Sequence, residues 1–207
     1  MRLVQYKGHW TPLGSEKAWE RYARRANDML QAVGLCRQLR TVIQAGGNIG
    51  AWPVWLAANF VDVMTFEPEK TNYQCLVRNT EAHHNITPYH AALSDTSGTG
   101  NLKVCEGIGS HYLIPGDGEI PLKTIDSLNL DTLDFIMLDV EDAEFRTLKG
   151  GLETIQRCRP IIQIEDKGHG TGKGFGVTFA DIKALLEGYE VVSRVGRHDV
   201  LLKPKEF

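Results

Sequence analysis

Two sets of residues in this chain have the types and spacing of a chemical site. The first is a glycine turn, Gly46-Gly47-Asn48-Ile49-Gly50, followed further along by Glu67. Glycines let a backbone turn sharply and approach a ligand, and an acidic residue about 20 positions on suits the two hydroxyls of a ribose. The second set is carboxylates at the ends of apolar runs: Asp139 and Glu141 after one run, Glu165 and Asp166 after another. Carboxylates so placed can orient an acceptor, take its proton or hold a hard cation. His169, in the glycine-rich stretch that follows, is a further candidate for that proton.

Residues 41–68 supply the frame for the first set. TVIQA, GGNIG, AWPVWLAANF, VDVMTF and Glu67-Pro68 follow in the order of a strand, a turn, a helix and a parallel strand. The turn reads G-G-x-x-G, with Asn48 where the dinucleotide fingerprint has its second glycine. That disfavours a pyrophosphate and favours S-adenosylmethionine, which carries no phosphate. Gly50 is expected to let the next helix pack close to the strand.

Patterning beyond this unit predicts a helix over 70–82 and a third strand over 86–93, with adenine lying near 91–94 at Ala92. A short strand follows at 101–105, then a loop over 106–119 that reads equally as a lid or a surface excursion. An edge strand and short helix at 120–130 lead into the apolar run 133–140, the pattern of a central parallel strand. A helix over 143–156 and a fifth strand over 160–165 come next. Residues 167–176, glycine-rich with His169 and Lys173, read as a substrate lid or an unstructured connection. A helix over 178–188 capped by Thr178 precedes a hairpin, 189–195 with 199–202, that brings an antiparallel strand into the sheet.

Ahead of the frame, a helix over 15–34 carries the apolar stripe Trp19, Tyr22, Ala26, Met29, Leu30 and Val33, and is expected to pack on the sheet or cover the cofactor. Arg21, Arg24 and Arg25 on its other side read as a solvated face. The 207 residues suit one α/β domain, with 1–40 as a helical extension packed on a domain spanning 41–207. A net charge of −3 argues against nucleic acid as a partner. The sequence has no apolar run near the roughly 18 residues of a membrane span, and its first residues are too polar for a secretory signal, so a soluble cytoplasmic protein is expected. Cys36, Cys75, Cys105 and Cys158 form no C-x-x-C pair, which points to free thiols.

Four blocks together resemble the FkbM-type S-adenosylmethionine-dependent methyltransferases: VIQAGGNIG at 42–50, TFEP at 65–68, LDFIMLDVEDAEFRTLKGG at 133–151 and RPIIQIE at 159–165. The resemblance implies an α/β class I methyltransferase (Rossmann-like) fold, a seven-stranded mostly parallel sheet of order 3-2-1-4-5-7-6 with strand 7 antiparallel. It implies methyl transfer to a hydroxyl of a sugar, glycan or other natural product. S-adenosylmethionine would contact Gln44, Gly46, Gly47, Asn48, Gly50, Glu67, Ala92 and Asp139, and catalysis would fall to Asp139, Glu141 or His169. No dedicated metal site is expected; a magnesium-type ion on Asp139, Glu165 and Asp166 is an alternative route to activating a diol. Three positions depart from the family. Gln44 replaces an aspartate expected near the methionine ammonium, Met137 a lysine, and Asp142 a glycine. Base methyltransferases of nucleic acids carry N/D-P-P-Y where this chain has Asp139-Val140-Glu141-Asp142. A non-catalytic nucleoside-binding descendant is the remaining alternative.

Overall fold

The structure, a computed structural model, describes residues 2–114, 116–166, 177–195 and 198–206. His169 and the rest of the glycine-rich stretch 167–176 lie outside the described residues. In chain order the elements are strands β1 (Leu3–Tyr6) and β2 (His9–Pro12), helix α1 (Ala18–Arg25), a 3₁₀ turn (Ala26–Met29), and α2 (Leu30–Leu35). Next come β3 (Thr41–Ala45), α3 (Ala51–Ala57), β4 (Asp62–Phe66), α4 (Lys70–Thr80) and β5 (Ile86–Tyr89). Strands β6 (Ala92–Leu93), β7 (Gly98–Lys103), β8 (Tyr112–Ile114) and β9 (Ile120–Lys123) follow. The chain closes with β10 (Phe135–Leu138), α5 (Glu144–Lys149), α6 (Leu152–Cys158), β11 (Ile161–Glu165), α7 (Phe179–Leu185), β12 (Tyr189–Val195) and β13 (Asp199–Pro204).

Strands with no polar alternation must be buried on both faces, and β3, β10 and β11 lie at the centre of a sheet of order β12-β13-β11-β10-β3-β4-β5. All pairs from β11 to β5 are parallel, while β13 runs antiparallel to both β11 and β12. This is the expected order with its antiparallel seventh strand. Alternate residues of β10 serve opposite layers: Ile136 and Leu138 pack with Ile43, Ile164 and Leu148, and Phe135 and Met137 pack with Val42, Trp52 and Phe60. Asp134 sets the start of this arrangement, its carboxylate accepting from the backbone N–H groups of Arg40 (2.9 Å) and Thr41 (3.1 Å).

Four local departures from the sequence reading have identifiable causes. Lys7 (φ 49°) and Gly8 (φ 88°) form the left-handed pair of a two-residue hairpin, so β1 and β2 precede the first helix. The 15–34 helix is divided into α1, a tighter turn at Asn27 and Asp28, and α2, and its first turn follows Lys17 rather than Ser15. Asn and Asp are poor helix formers, and the tightening brings Met29 and Ala32 into the core. The third strand ends at Tyr89, after which β6 leaves to pair with β9 in a second sheet, β6-β9-β7-β8, whose β8 lies inside the expected 106–119 loop. The 143–156 helix breaks at Gly150-Gly151, where a side chain on Gly150 would strike the carbonyl of Ser94. Thr178 caps α7 as expected, through a reciprocal bond with Asp181.

Phe135 is fully buried and stacks near Phe60, with ring centroids 6.1 Å apart. Phe135→Ala is expected to destabilise the protein by about 3–5 kcal/mol in urea unfolding.

Candidate active site

The glycine turn sits at the carboxyl ends of β3, β4 and β10. Gly46 has φ 87°, and a Cβ there would collide with the Asp139 carbonyl. One on Gly47 would lie 2.6 Å from Thr65 Oγ1. Both residues donate their backbone N–H to Phe66 O, at 3.0 and 2.9 Å, and Asp139 N donates to Ala45 O at 3.1 Å. Glycine is thus required at 46 by the protein's own backbone and at 47 by the Thr65 and Leu76 side chains. Gly50 (φ 97°) faces Leu76 and Thr80 of α4, so it admits that helix rather than the strand.

Gln44 lies behind the turn and does not line the cavity. It is fully buried, donates Nε2 to Gly46 O (3.0 Å) and accepts from Thr65 Oγ1 (2.6 Å). Its neighbour in register on β10 is Met137, also buried. Two of the three positions expected from the resemblance to differ are therefore adjacent, and both are neutral here. The third, Asp142 (φ 75°), follows Glu141 (φ 51°) in the left-handed region that suits glycine, a strained bend at the end of β10.

Glu67 is buried, with its Oε2 accepting from Asn48 N at 2.7 Å and its Oε1 from Glu69 N at 2.8 Å. Burial pushes its carboxyl up to about 7, against the pull of those two N–H groups. Asn48 (φ 48°) also gives Nδ2 to Ile108 O, which accepts a second bond from Asn72 Nδ2 at 3.0 Å. The segment after β7 is consequently fastened over the turn, and His111 Nδ1 accepts from Cys105 N (3.2 Å) across its neck.

The opposite end of the cavity is acidic. Oxygens of Asp139, Glu141 and Glu165 lie within 4.8 Å of one another. Burial, then the charges of Glu165 and Glu141, hold the Asp139 carboxyl well above the usual range. Asp166 belongs elsewhere and pairs with Arg194 at 2.9 Å. Glu144, unremarked in the sequence, is buried nearby, accepts from Val140 N (3.1 Å) and is pushed up to about 8 by burial.

Asn48, Glu67, His111, Asp139, Glu141 and Glu165 line one cavity of about 410 Å³, together with Ala92, Leu93, Leu113 and Val140. Arg21, Tyr22 and Arg25 of α1 close its remaining side, so that face of the helix is not simply solvated. Tyr22 was legible only as part of an apolar stripe; its role depends on Trp52, whose Nε1 donates to Tyr22 O at 2.9 Å. Of the candidate residues, the structure gathers Gly46, Gly47, Asn48, Glu67, Ala92, Asp139 and Glu141 around one space, sets Gln44 and Gly50 behind it, and does not describe His169.

The sheet order and the cavity at its strand ends define a class I S-adenosylmethionine-dependent methyltransferase fold. The FkbM methyltransferase domain model matches residues 44–191, and the chain belongs to that family. It is similar in structure to methyltransferase FkbM from Methylobacillus flagellatus KT, with TM-score 0.58 and 19% identity over 91% of this chain. That match spans 58% of the Methylobacillus protein. N-methyltransferase NodS from Bradyrhizobium japonicum WM9 matches at TM-score 0.54 and 13% identity, covering 91% of this chain and 96% of that one. Magnesium protoporphyrin IX methyltransferase from Synechocystis PCC 6803, solved with bound S-adenosylmethionine, matches at 0.51 and 11%, covering 93% and 83%. No curated protein matches the chain. Among the described residues no helix is long and apolar enough to cross a membrane.

Two outcomes follow from the buried groups. Gln44→Asp alone is expected to cost about 3 kcal/mol in urea unfolding, much of it recovered in the double variant with Met137→Lys. Glu144 binds its proton more tightly folded than unfolded, so its contribution is complete below the ordinary value of 4.5 and is lost as pH rises through about 8. Stability measured from about pH 5 to 8.5 should therefore fall less steeply in Glu144→Gln than in the parent.

Proposed function

We propose that this methyltransferase transfers its methyl group to a hydroxyl oxygen of a sugar or other small molecule. The observation carrying this reading is Asp139. It is a carboxylate beside the glycine turn, held above its ordinary range by burial and by Glu165 and Glu141. A hydroxyl must lose its proton as it attacks, and a base whose pKa is raised toward working pH is suited to take it.

S-adenosylmethionine, implied by the family, would supply a methyl group already activated on a sulfonium. The residues present fit it. Glu67 would accept from the ribose hydroxyls, the turn Gly46–Asn48 leaves room for the chain joining ribose to methionine, and Ala92 and Leu93 offer an apolar wall to adenine. Asp139 would orient the acceptor oxygen and take its proton. Glu141 would share that work, and His169 remains a candidate for it. The charges of Glu165 and Glu141 would raise the proton affinity of the ionised Asp139 carboxylate.

A second reading has one observation in its favour. The close set Asp139, Glu141 and Glu165 would hold a magnesium-type ion that lowers the pKa of a bound diol. Activity lost to a chelator and restored by magnesium would select it; indifference to chelation would remove it.

Calorimetry should detect S-adenosylhomocysteine binding, and a screen of sugar and catechol acceptors followed by mass spectrometry should give an O-methyl product. In the same assay, Asp139→Asn is expected to lower kcat by about 10²-fold or more. A preference for amine acceptors, or full activity in that variant, would overturn the proposal.

A further inference from the structure

We infer that α1 completes the cofactor site, with the Arg21 guanidinium and the Tyr22 hydroxyl receiving the carboxylate at the amino-acid end of S-adenosylmethionine. This rests on the reading of the cavity as the cofactor site. It reaches outside the region matched by the family model, which begins at residue 44.

The argument starts from charge. The amino-acid end of the cofactor carries an ammonium, a sulfonium and a carboxylate. The acidic wall of Asp139, Glu141 and Glu165 suits the two cations and repels the anion. Among the described residues lining the cavity, Arg21 and Arg25 carry its only guanidinium or ammonium groups. Arg25 is already engaged: it lies 3.4 Å from Asp199 and 3.8 Å from Asp28, over the Trp52 ring. Arg21 has no carboxylate partner among the described residues. Its guanidinium rests over the Tyr22 ring, 5.0 Å from the centroid, and interacts with the hydroxyl.

Tyr22 is the fixed half of the pair. Its carbonyl is bonded to Trp52, its ring meets Trp52 edge-on at 5.8 Å, and its hydroxyl oxygen accepts from Asn48 Nδ2 at 3.3 Å. The oxygen is thus occupied as an acceptor by a residue of the glycine turn, which leaves the phenolic proton to be donated. Gly109 stands so close that a Cβ there would lie 2.5 Å from this oxygen. A fixed phenol donor and a guanidinium side by side form a carboxylate receptor.

The test uses calorimetry with S-adenosylhomocysteine and with its carboxyl methyl ester, which keeps everything except the negative charge. Arg21→Ala should weaken binding of the acid about tenfold and leave the ester within about twofold. Tyr22→Phe keeps the ring on Trp52 and should show the same selectivity to a smaller degree. Arg21 is exposed, so its removal leaves the core intact, and thermal melting checks this. Unchanged affinity for the acid in both variants, or equal losses for acid and ester, would overturn the inference while leaving the cofactor reading in place. A parent protein that binds neither compound would overturn the cofactor reading and this inference with it.

Discussion

The site depends on one steric contact, Gly46 against the carbonyl of Asp139. It brings the turn after the first sheet strand onto the end of the fourth, in a register set by Val42 beside Phe135 and Ala45 beside Leu138. Any side chain at Gly46 would push the two strand ends apart. The cradle bounded by Glu67 and the floor that carries Asp139 are therefore parts of a single rigid junction. Phe66 O, taking both turn N–H groups, ties the second strand into it.

Around that junction the protein separates buried polarity into two kinds. Gln44, Met137 and Thr65 form a neutral row across three adjacent strands, fully bonded where it is polar. An aspartate at 44 beside the apolar Met137 would bury an unpaired charge. The cavity side takes the opposite course. Asp139, Glu141 and Glu165 crowd together, and burial raises Glu67 to about 7, Glu144 to about 8 and Asp139 well above the usual carboxylate range. Such crowding costs stability in the free protein and suits a site that binds a cation and moves a proton.

The remaining walls come from segments far apart in the chain. Asn48 and Asn72 grip Ile108 O, and α1 leans on Trp52. Their shared geometry encloses the turn from both sides. The second sheet, β6-β9-β7-β8, supports the first of these walls; the hairpin β1-β2 braces α4, where Asn79 bonds both Trp10 and Ile49.

The sequence by itself determined the inner strands of the central sheet, because mostly apolar runs such as 133–140 and 160–165 admit few partners other than one another. It also determined that Gly46, Glu67 and Asp139 meet, since parallel strands present their ends at one edge. The small sheet and the broken helices were not legible. Strands of two or three residues carry too little pattern, and the break at Gly150 is imposed by Ser94, distant in sequence. Only the tertiary structure decided that Gln44 turns away from the cavity, that Asp166 leaves the carboxylate cluster and that Arg21 joins the wall. Each outcome depends on which neighbour a polar side chain meets: Thr65 for Gln44, Arg194 for Asp166 and Tyr22 for Arg21. Spacing along the chain sets which strand end a residue occupies, but three-dimensional packing sets the direction its side chain takes there.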